Sequence, residues 1–193
     1  MDPLEAYRRS LAEFVDRVEQ IAPAQWSDPT PCSDWDVRTL VNHVVTEDRW
    51  SVPLLAGRTI DEVGDRFDGD QLSDDPIAAA REAAAQAEIA ATHPGTIDRT
   101  VQLSSGEAPA AEYLQQLLAE HLVHGWDVAV AIGAQPRLDP DAVRAAAQWF
   151  AGQIDAYQRD NLVRTGVRVP DDADEQDRLL AAFGRDPDWA PTD

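Results

Sequence analysis

The sequence predicts an all-α protein whose long helices form a four-helix bundle. Its long segments repeat apolar residues at spacings of three and four, the pattern of a helix that buries one face. No segment sustains the alternation of apolar and polar residues that a half-buried strand requires. At 193 residues and 44% hydrophobic composition, the chain suits one well-packed domain. We therefore expect a single bundle over residues 1–193, with a short additional C-terminal helix and a polar tail from about residue 163.

Prolines and capping residues set the expected bounds of the helices. Pro23 stops the first helix shortly after Ile21. Ser33 stands three residues before Asp36, a pattern that resembles a capping box with aspartate in place of glutamate. We expect helices over residues 3–21, 34–55, 76–92 and 109–132, then one from 140 onward and a short one over 175–183.

The helix that begins at residue 140 has a favoured start, because Asp139 provides the cap and Pro140 takes the first helical position. Its apolar stripe continues through Ile154 and Tyr157. Two connecting segments are expected outside the helices: an acidic, turn-rich one over residues 57–75 and a short extended one over residues 100–103.

Charge and composition exclude several classes of function. The formal net charge is −20, lysine is absent, and the arginines are scattered singly apart from Arg8 and Arg9. Such a chain repels phosphate backbones, so nucleic acid is not an expected partner. No apolar run approaches the roughly 18 residues of a membrane span, and the acidic start does not resemble a signal peptide. A single cysteine, Cys32, excludes an internal disulfide, and we expect a cytoplasmic protein.

The helix over residues 109–132 carries ionisable side chains on one narrow face. At about 100° per residue, a single sector holds Tyr113, Leu117, Glu120, His124 and Asp127. Glu120 and His124 lie one turn apart, so they can chelate one ion without bending the helix. Ionisable groups on a face that otherwise carries Tyr113 and Leu117 require an explanation.

The helix over residues 34–55 carries a similar face of polar and apolar residues beside its valine stripe. The residues of this face are separated by four, three and four positions: His43, Glu47, Trp50 and Leu54. If His43 lies opposite Glu120 and His124, the three side chains form a His₂Glu set. Such a set leaves one open position on a tetrahedral metal, as catalytic zinc sites do.

Plainer interpretations of these residues remain open. A lone helical histidine is more often solvated or hydrogen-bonded than a metal ligand, and an exposed pair of Glu120 and His124 would contribute little stability. His121 is a competing ligand, although it lies about 100° around the helix from Glu120. Cys32 precedes the second helix, where a dipole can activate a thiol, but a packed cysteine is the simpler interpretation. Arg49 is either a contact for a substrate carboxylate or a surface arginine.

Three segments resemble a known family. Residues 26–45 read W-S-D-P-T-P-C-S-D-W-D-V-R-T-L-V-N-H-V-V, residues 119–129 read A-E-H-L-V-H-G-W-D-V-A, and residues 183–189 read F-G-R-D-P-D-W. They resemble the mycothiol-dependent maleylpyruvate isomerase-like domain of the DinB-like superfamily of metal-binding four-helix bundles. By position, the resemblance makes His43, Glu120 and His124 the metal ligands. His121 falls where the family pattern has an apolar residue.

The resemblance implies a function that depends on a metal and a small thiol. The expected ion is Zn²⁺, which suits nitrogen and carboxylate ligands, with Ni²⁺ or Fe²⁺ as substitutes. We expect a thiol transferase or isomerase of the mycothiol type that acts on a small electrophile. Glu47 and Asp127 are the candidate catalytic carboxylates, which orient ligand imidazoles or handle protons.

Other functions are compatible with the same resemblance. The isomerase carries a further C-terminal domain, so maleylpyruvate itself is not the expected substrate of this chain. A metal- or ligand-binding bundle without catalysis, involved in a stress response, is the main alternative. A degenerate bundle used only for oligomerisation is a third. The protein is expected to be a monomer or a homodimer.

Overall fold

The computed structural model describes residues 1–153 and 166–191 and has the expected all-α architecture. Its helices are α1 (Pro3–Val18), α2 (Val37–Leu55), α3 (Ile60–Val63), α4 (Pro76–Thr92), α5 (Ala110–Ala131), α6 (Pro140–Phe150) and α7 (Glu175–Ala182), with a 3₁₀ turn at Gln25–Ser27. Strands β1 (Thr100–Leu103) and β2 (Gly106–Pro109) form an antiparallel hairpin in which Val101 pairs with Ala108. The predicted continuation of α6 through Ile154 and Tyr157 lies outside the described residues.

Four of these helices form the bundle. Helix α1 packs against α4 and α5, and α2 packs against the same two helices from the other side. The apolar stripes predicted from the sequence face inward, and the central residues of the core include Leu11, Phe14, Val41, Val44, Leu114 and Leu118. Helices α6 and α7 pack on each other and cover the outer side of α1 and α5. This arrangement places α2 directly against α5. The face of α2 that carries His43 therefore lies opposite the face of α5 that carries Glu120 and His124.

Two helix bounds differ from the expectation by more than one residue. Helix α1 ends at Val18, because the backbone amides of Gln20 and Ile21 bond to carbonyls three residues earlier and form tight turns. Helix α2 begins at Val37, because the Asp36 side chain caps it by accepting a hydrogen bond from the backbone amide of Thr39 at 2.8 Å.

The expected connecting segments contain short elements of their own. Helix α3 forms within the acidic segment through a reciprocal capping box between Thr59 and Glu62. The extended stretch at Thr100 pairs with β2, which makes it one arm of the hairpin. Among the described residues, no helix combines the length and the apolar character needed to cross a membrane.

Candidate metal centre

Three side chains from α2 and α5 converge at the open end of the bundle interior, and we call them the open cluster: His43, Glu120 and His124. The Oε2 atom of Glu120 lies 3.3 Å from Nε2 of His43 and 3.0 Å from Nε2 of His124. In a tetrahedral zinc site with ligands about 2.0–2.1 Å from the ion, ligand atoms stand about 3.4 Å apart. Each residue offers one ligand atom, and these atoms all lie within 4.8 Å of one another. The donor set and its spacing therefore fit a divalent metal.

The members of the open cluster differ in exposure to solvent. The side chains of His43 and Glu120 are 30% and 38% exposed, whereas that of His124 is 7% exposed. A fourth ligand can therefore approach past His43 and Glu120, while His124 anchors the cluster in the protein. This is the arrangement of an open catalytic site, in contrast to a closed structural one.

His124 is oriented from behind by a buried chain of charges. Its Nδ1 atom lies 3.0 Å from Oδ2 of Asp127, which is fully buried, and Nη2 of Arg185 donates to the same carboxylate oxygen at 2.9 Å. When the imidazole is neutral, the Asp127 contact favours the proton on Nδ1, which leaves Nε2, the atom that faces Glu120, available to bind an ion. Asp127 therefore lies behind the imidazole, away from solvent, where it orients the ring.

The electrostatics of the open cluster favour opposite charges on its members. Burial opposes ionisation of Glu120, but hydrogen bonds from His124 and His43 outweigh it and hold the pKa of Glu120 well below its ordinary value. Burial likewise opposes protonation of His124, but Asp127 and Glu120 raise the pKa of His124 to about 9. Without a metal, the cluster thus holds a proton on His124 at neutral pH, and a metal ion must displace that proton.

Glu47 lies one turn along α2 from His43 and faces the same space. Burial and then the negative charge of Glu120 raise the pKa of Glu47 above its ordinary value. A carboxyl group with a raised pKa beside the open position is suited to exchanging a proton with a bound thiol or substrate.

Trp35 forms one wall of the open cluster. Its ring centroid lies 4.8 Å from that of His43 and 5.9 Å from that of His124. The residue stands in the loop just before α2 and is half-buried, so it contacts both imidazoles in addition to the core. Cys32, in the same loop, is also half-buried and packs against that core region.

His121 does not join the open cluster, although it is adjacent to Glu120 in sequence. It belongs instead to the buried cluster, which we define as Ser10, Asp48 and His121. Nε2 of His121 lies 2.9 Å from Oδ1 of Asp48, and Nδ1 lies 3.4 Å from Oγ of Ser10. All three residues are 1% exposed. Arg49, which follows Asp48, donates to the side chain of Gln71 at 3.0 Å.

Sequence reasoning did not identify Arg185, Trp35 or Asp48 as neighbours of these histidines. Arg185 and Trp35 lie within the segments over residues 183–189 and 26–45, so their position in those motifs was the available signal. Asp48 offered none, because its pairing with His121 depends on how α2 and α5 rotate against each other.

Fold and site together define a class: a helical bundle with an open His₂Glu cluster that fits a divalent metal. Residues 7–129 match the sequence profile of the mycothiol maleylpyruvate isomerase N-terminal domain. The chain belongs to this family.

Individual proteins resemble the chain in sequence or in fold. Two uncharacterized proteins of Mycobacterium tuberculosis, Rv0738 of strain H37Rv and MT0763 of strain CDC 1551, are each 32% identical to this chain over 145 residues, 73% of either length. Crystal structures of the mycothiol-dependent maleylpyruvate isomerase and of a mutant of it resemble the chain with TM-scores of 0.60 and 0.62. They share 16% identity, and the match covers 79% of this chain and 68% of theirs. At that identity the likeness shows a common fold.

Proposed function

We propose that the chain is a metal-dependent enzyme that uses a low-molecular-weight thiol of the mycothiol type to modify or isomerise a small electrophile. The observation that carries the proposal is the open cluster, whose three ligand atoms converge at a solvent-accessible position. Membership of a family named for a mycothiol-dependent isomerase supports a thiol as the cosubstrate. Zinc is the proposed ion, with nickel or iron as possible replacements.

Each residue of the open cluster has a distinct task in this proposal. His43 and His124 would hold the ion through Nε2, and Glu120 would hold it through its carboxylate. Asp127 would keep the proton of His124 on Nδ1, and Arg185 holds the Asp127 carboxylate in position by donating to it. Trp35 covers one side of the imidazoles and limits the approach of water.

The chemistry requires a deprotonated thiol. A free thiol has a pKa near ~8.5 and is mostly protonated at neutral pH. When bound, a divalent ion would stabilise the thiolate form of the cosubstrate. Glu47 is placed to accept the released thiol proton on its carboxylate, since its raised pKa makes it a better base than an ordinary glutamate.

Two outcomes are possible once the sulfur attacks. In a transfer, the sulfur forms a bond to the electrophilic carbon while another bond of that carbon breaks. In a substitution, the electron pair of the broken bond departs with the leaving group. In an addition to a double bond, that electron pair takes a proton from Glu47. In an isomerisation, the sulfur adds to an activated double bond, the carbon–carbon bond rotates, and the sulfur leaves with its electron pair. Both need a thiolate and a nearby proton carrier, which the same residues provide.

The proposal is tested by a conjugation assay with mycothiol. The metal-loaded protein should accelerate the reaction of mycothiol with a fluorogenic bimane electrophile, and the protein treated with a chelator should not. Maleylpyruvate, assayed in parallel, tests the isomerase outcome. Mycothiol binding without any turnover across a panel of electrophiles would instead indicate a binding protein.

Two variants locate the reacting groups. Glu47→Gln should lower the rate by more than it lowers the metal content, because the metal ligands are intact. Cys32→Ser should leave the rate nearly unchanged, because the nucleophile comes from the cosubstrate. If Cys32→Ser abolished turnover while the metal was retained, the nucleophile would lie in the protein and the mechanism would be wrong.

A further inference from the structure

A second cavity lies between the C-terminal half of α2, α3 and α4, on the other side of α2 from the open cluster. Its volume is about 620 Å³, which is ample for a small organic molecule. Val52, which lines it, is nine positions from His43, and nine positions are about two and a half helical turns. Val52 and His43 therefore point in opposite directions, and the cavity is separate from the candidate metal centre.

The floor and the rim of this cavity differ in chemistry. The floor is apolar and is formed mainly by Val52, Pro53, Val63 and Phe67. Phe67 is held in place by an edge contact with Trp50, with ring centroids 5.8 Å apart. The rim carries three arginines and two glutamates: Arg49, Arg58, Arg66, Glu62 and Glu82. The charges of these five residues sum to plus one, in a chain whose formal net charge is −20.

Two of the rim arginines retain capacity for an anion. Arg58 pairs with Glu62 at 3.3 Å, and Glu82 accepts a hydrogen bond from Gln86 at 3.2 Å. Across residues 1–153 and 166–191, no carboxylate forms an ion pair with Arg49 or Arg66.

Both arginines are nevertheless placed by the protein. Nη1 of Arg49 donates at 3.0 Å to the side chain of Gln71, which is itself 8% exposed and fixed by a hydrogen bond from its backbone amide to Asn42 at 2.7 Å. The guanidinium of Arg66 lies 5.9 Å from the centre of the Phe67 ring. The site thus presents two guanidinium groups beside an apolar floor.

We infer that this cavity is a second binding site, which takes a small organic monoanion with a carboxylate and an apolar body. Guanidinium groups match a carboxylate in planar, paired hydrogen bonds, and the apolar floor accommodates the rest of the molecule. Inorganic phosphate fits less well, because it leaves the apolar floor exposed to water. This inference does not depend on the metal or on the thiol, so its failure would leave the proposed function unaffected.

Benzoate is a suitable probe, since it has one carboxylate on an apolar ring. Titrated into the full chain and followed by two-dimensional ¹H–¹⁵N NMR, it should shift the backbone amides of the C-terminal half of α2 and of α3. Benzamide, which has the same shape without the charge, should bind at least about tenfold more weakly, as should phosphate. Equal affinity for benzamide, equal affinity for phosphate, or shifts centred on His43 and Glu120 would each overturn the inference.

Charge-matched variants provide the second arm of the experiment. Arg49→Gln and Arg66→Gln should each lower the affinity for benzoate about tenfold, because each removes one charged hydrogen-bond donor. Arg81→Gln is the matched control: it removes the same charge from an exposed position on α4, where Arg81 pairs with Glu19. An equal loss in Arg81→Gln would show that benzoate responds only to overall charge, and the inference would be wrong.

Discussion

The open cluster and the buried cluster each pair a histidine with a carboxylate across α2 and α5, yet their surroundings are opposite. Glu120 of the open cluster is followed directly by His121 of the buried one. In the open cluster, ligand atoms converge on a position that solvent reaches. In the buried cluster, both nitrogens of His121 face protein partners, and the residues are 1% exposed. Exposure and convergence of ligand atoms, more than residue type, therefore separate a candidate reactive site from a structural one.

The largest expected effect is the destabilisation caused by breaking the buried cluster. Asp48→Ala leaves the buried Nε2 of His121 without its hydrogen-bond partner, which should cost about 3 kcal/mol in the free energy of unfolding. Glu120→Ala in the chelated protein should cost less, on the order of 1–2 kcal/mol, because that side chain is 38% exposed and Asp127 remains beside His124. Urea unfolding of both variants measures the difference. Equal costs would remove the structural distinction between the clusters.

Metal affinity should depend on the residues of the open cluster and not on those of the buried cluster. His43→Ala and His124→Ala each remove a proposed ligand. Loss of a residue that only orients a ligand lowers metal affinity by up to about a hundredfold, so loss of the ligand itself should lower the affinity for Zn²⁺ by at least that factor. Competition with a chromophoric chelator measures the affinity, and elemental analysis gives the stoichiometry. His121→Gln is the control from the buried cluster and should retain about one equivalent per folded molecule. Metal retained by both alanine variants would rule out the proposed ligands.

The pH dependence of stability should identify His124. Its pKa is raised from 6.5 to about 9 in the folded, metal-free protein, so its stabilising contribution is complete below pH 6.5 and is lost as pH rises through 9. The free energy of unfolding of the chelated protein should therefore fall across this range, by a total of about 3 kcal/mol.

Two controls isolate this titration. The zinc-loaded protein should not lose stability in the same way, because the bound imidazole is already neutral, and its metal affinity should rise with pH. His124→Ala should lack the decline in the chelated form. A decline of equal size in His124→Ala would assign it to another group.

The smallest effects are expected from the residues behind His124. Asp127→Asn and Arg185→Gln leave all three ligands in place but weaken the orientation of the imidazole, so Zn²⁺ affinity should fall about tenfold. Arg137→Gln is a matched control, since it breaks an exposed pair with Asp174 that does not reach the cluster. If the Arg185 variant bound zinc as tightly as the control, the contact with Asp127 would have no role in the site.

Much of the fold could be predicted from the sequence because each helix carries its own signals. The helix α4 begins at Pro76 and ends at Thr92 as expected, and the juxtaposition of Glu120 and His124 follows from their spacing of four residues. The position of His43 opposite them required the pairing of α2 with α5, which the family resemblance implied.

Contacts between distant segments could not be predicted in the same way. Arg185 reaches Asp127 across 58 residues of sequence, and nothing local indicates the packing of the segment after α7 that brings it there. The arginine-lined cavity was hidden for another reason: Arg58 and Arg66 flank α3, which has only four residues, and its packing beside α2 and α4 has no clear sequence signal.

The central claim is that the open cluster holds a divalent ion with a free position that a thiol can occupy. Cobalt-substituted protein titrated with mycothiol tests it directly, because a sulfur ligand on Co²⁺ produces a charge-transfer absorption band. The band should appear in the wild-type protein and in Cys32→Ser, and its apparent affinity should rise with pH as the thiol loses its proton. It should be absent in His124→Ala. No band in the wild-type protein, or a band that requires Cys32, would contradict the claim.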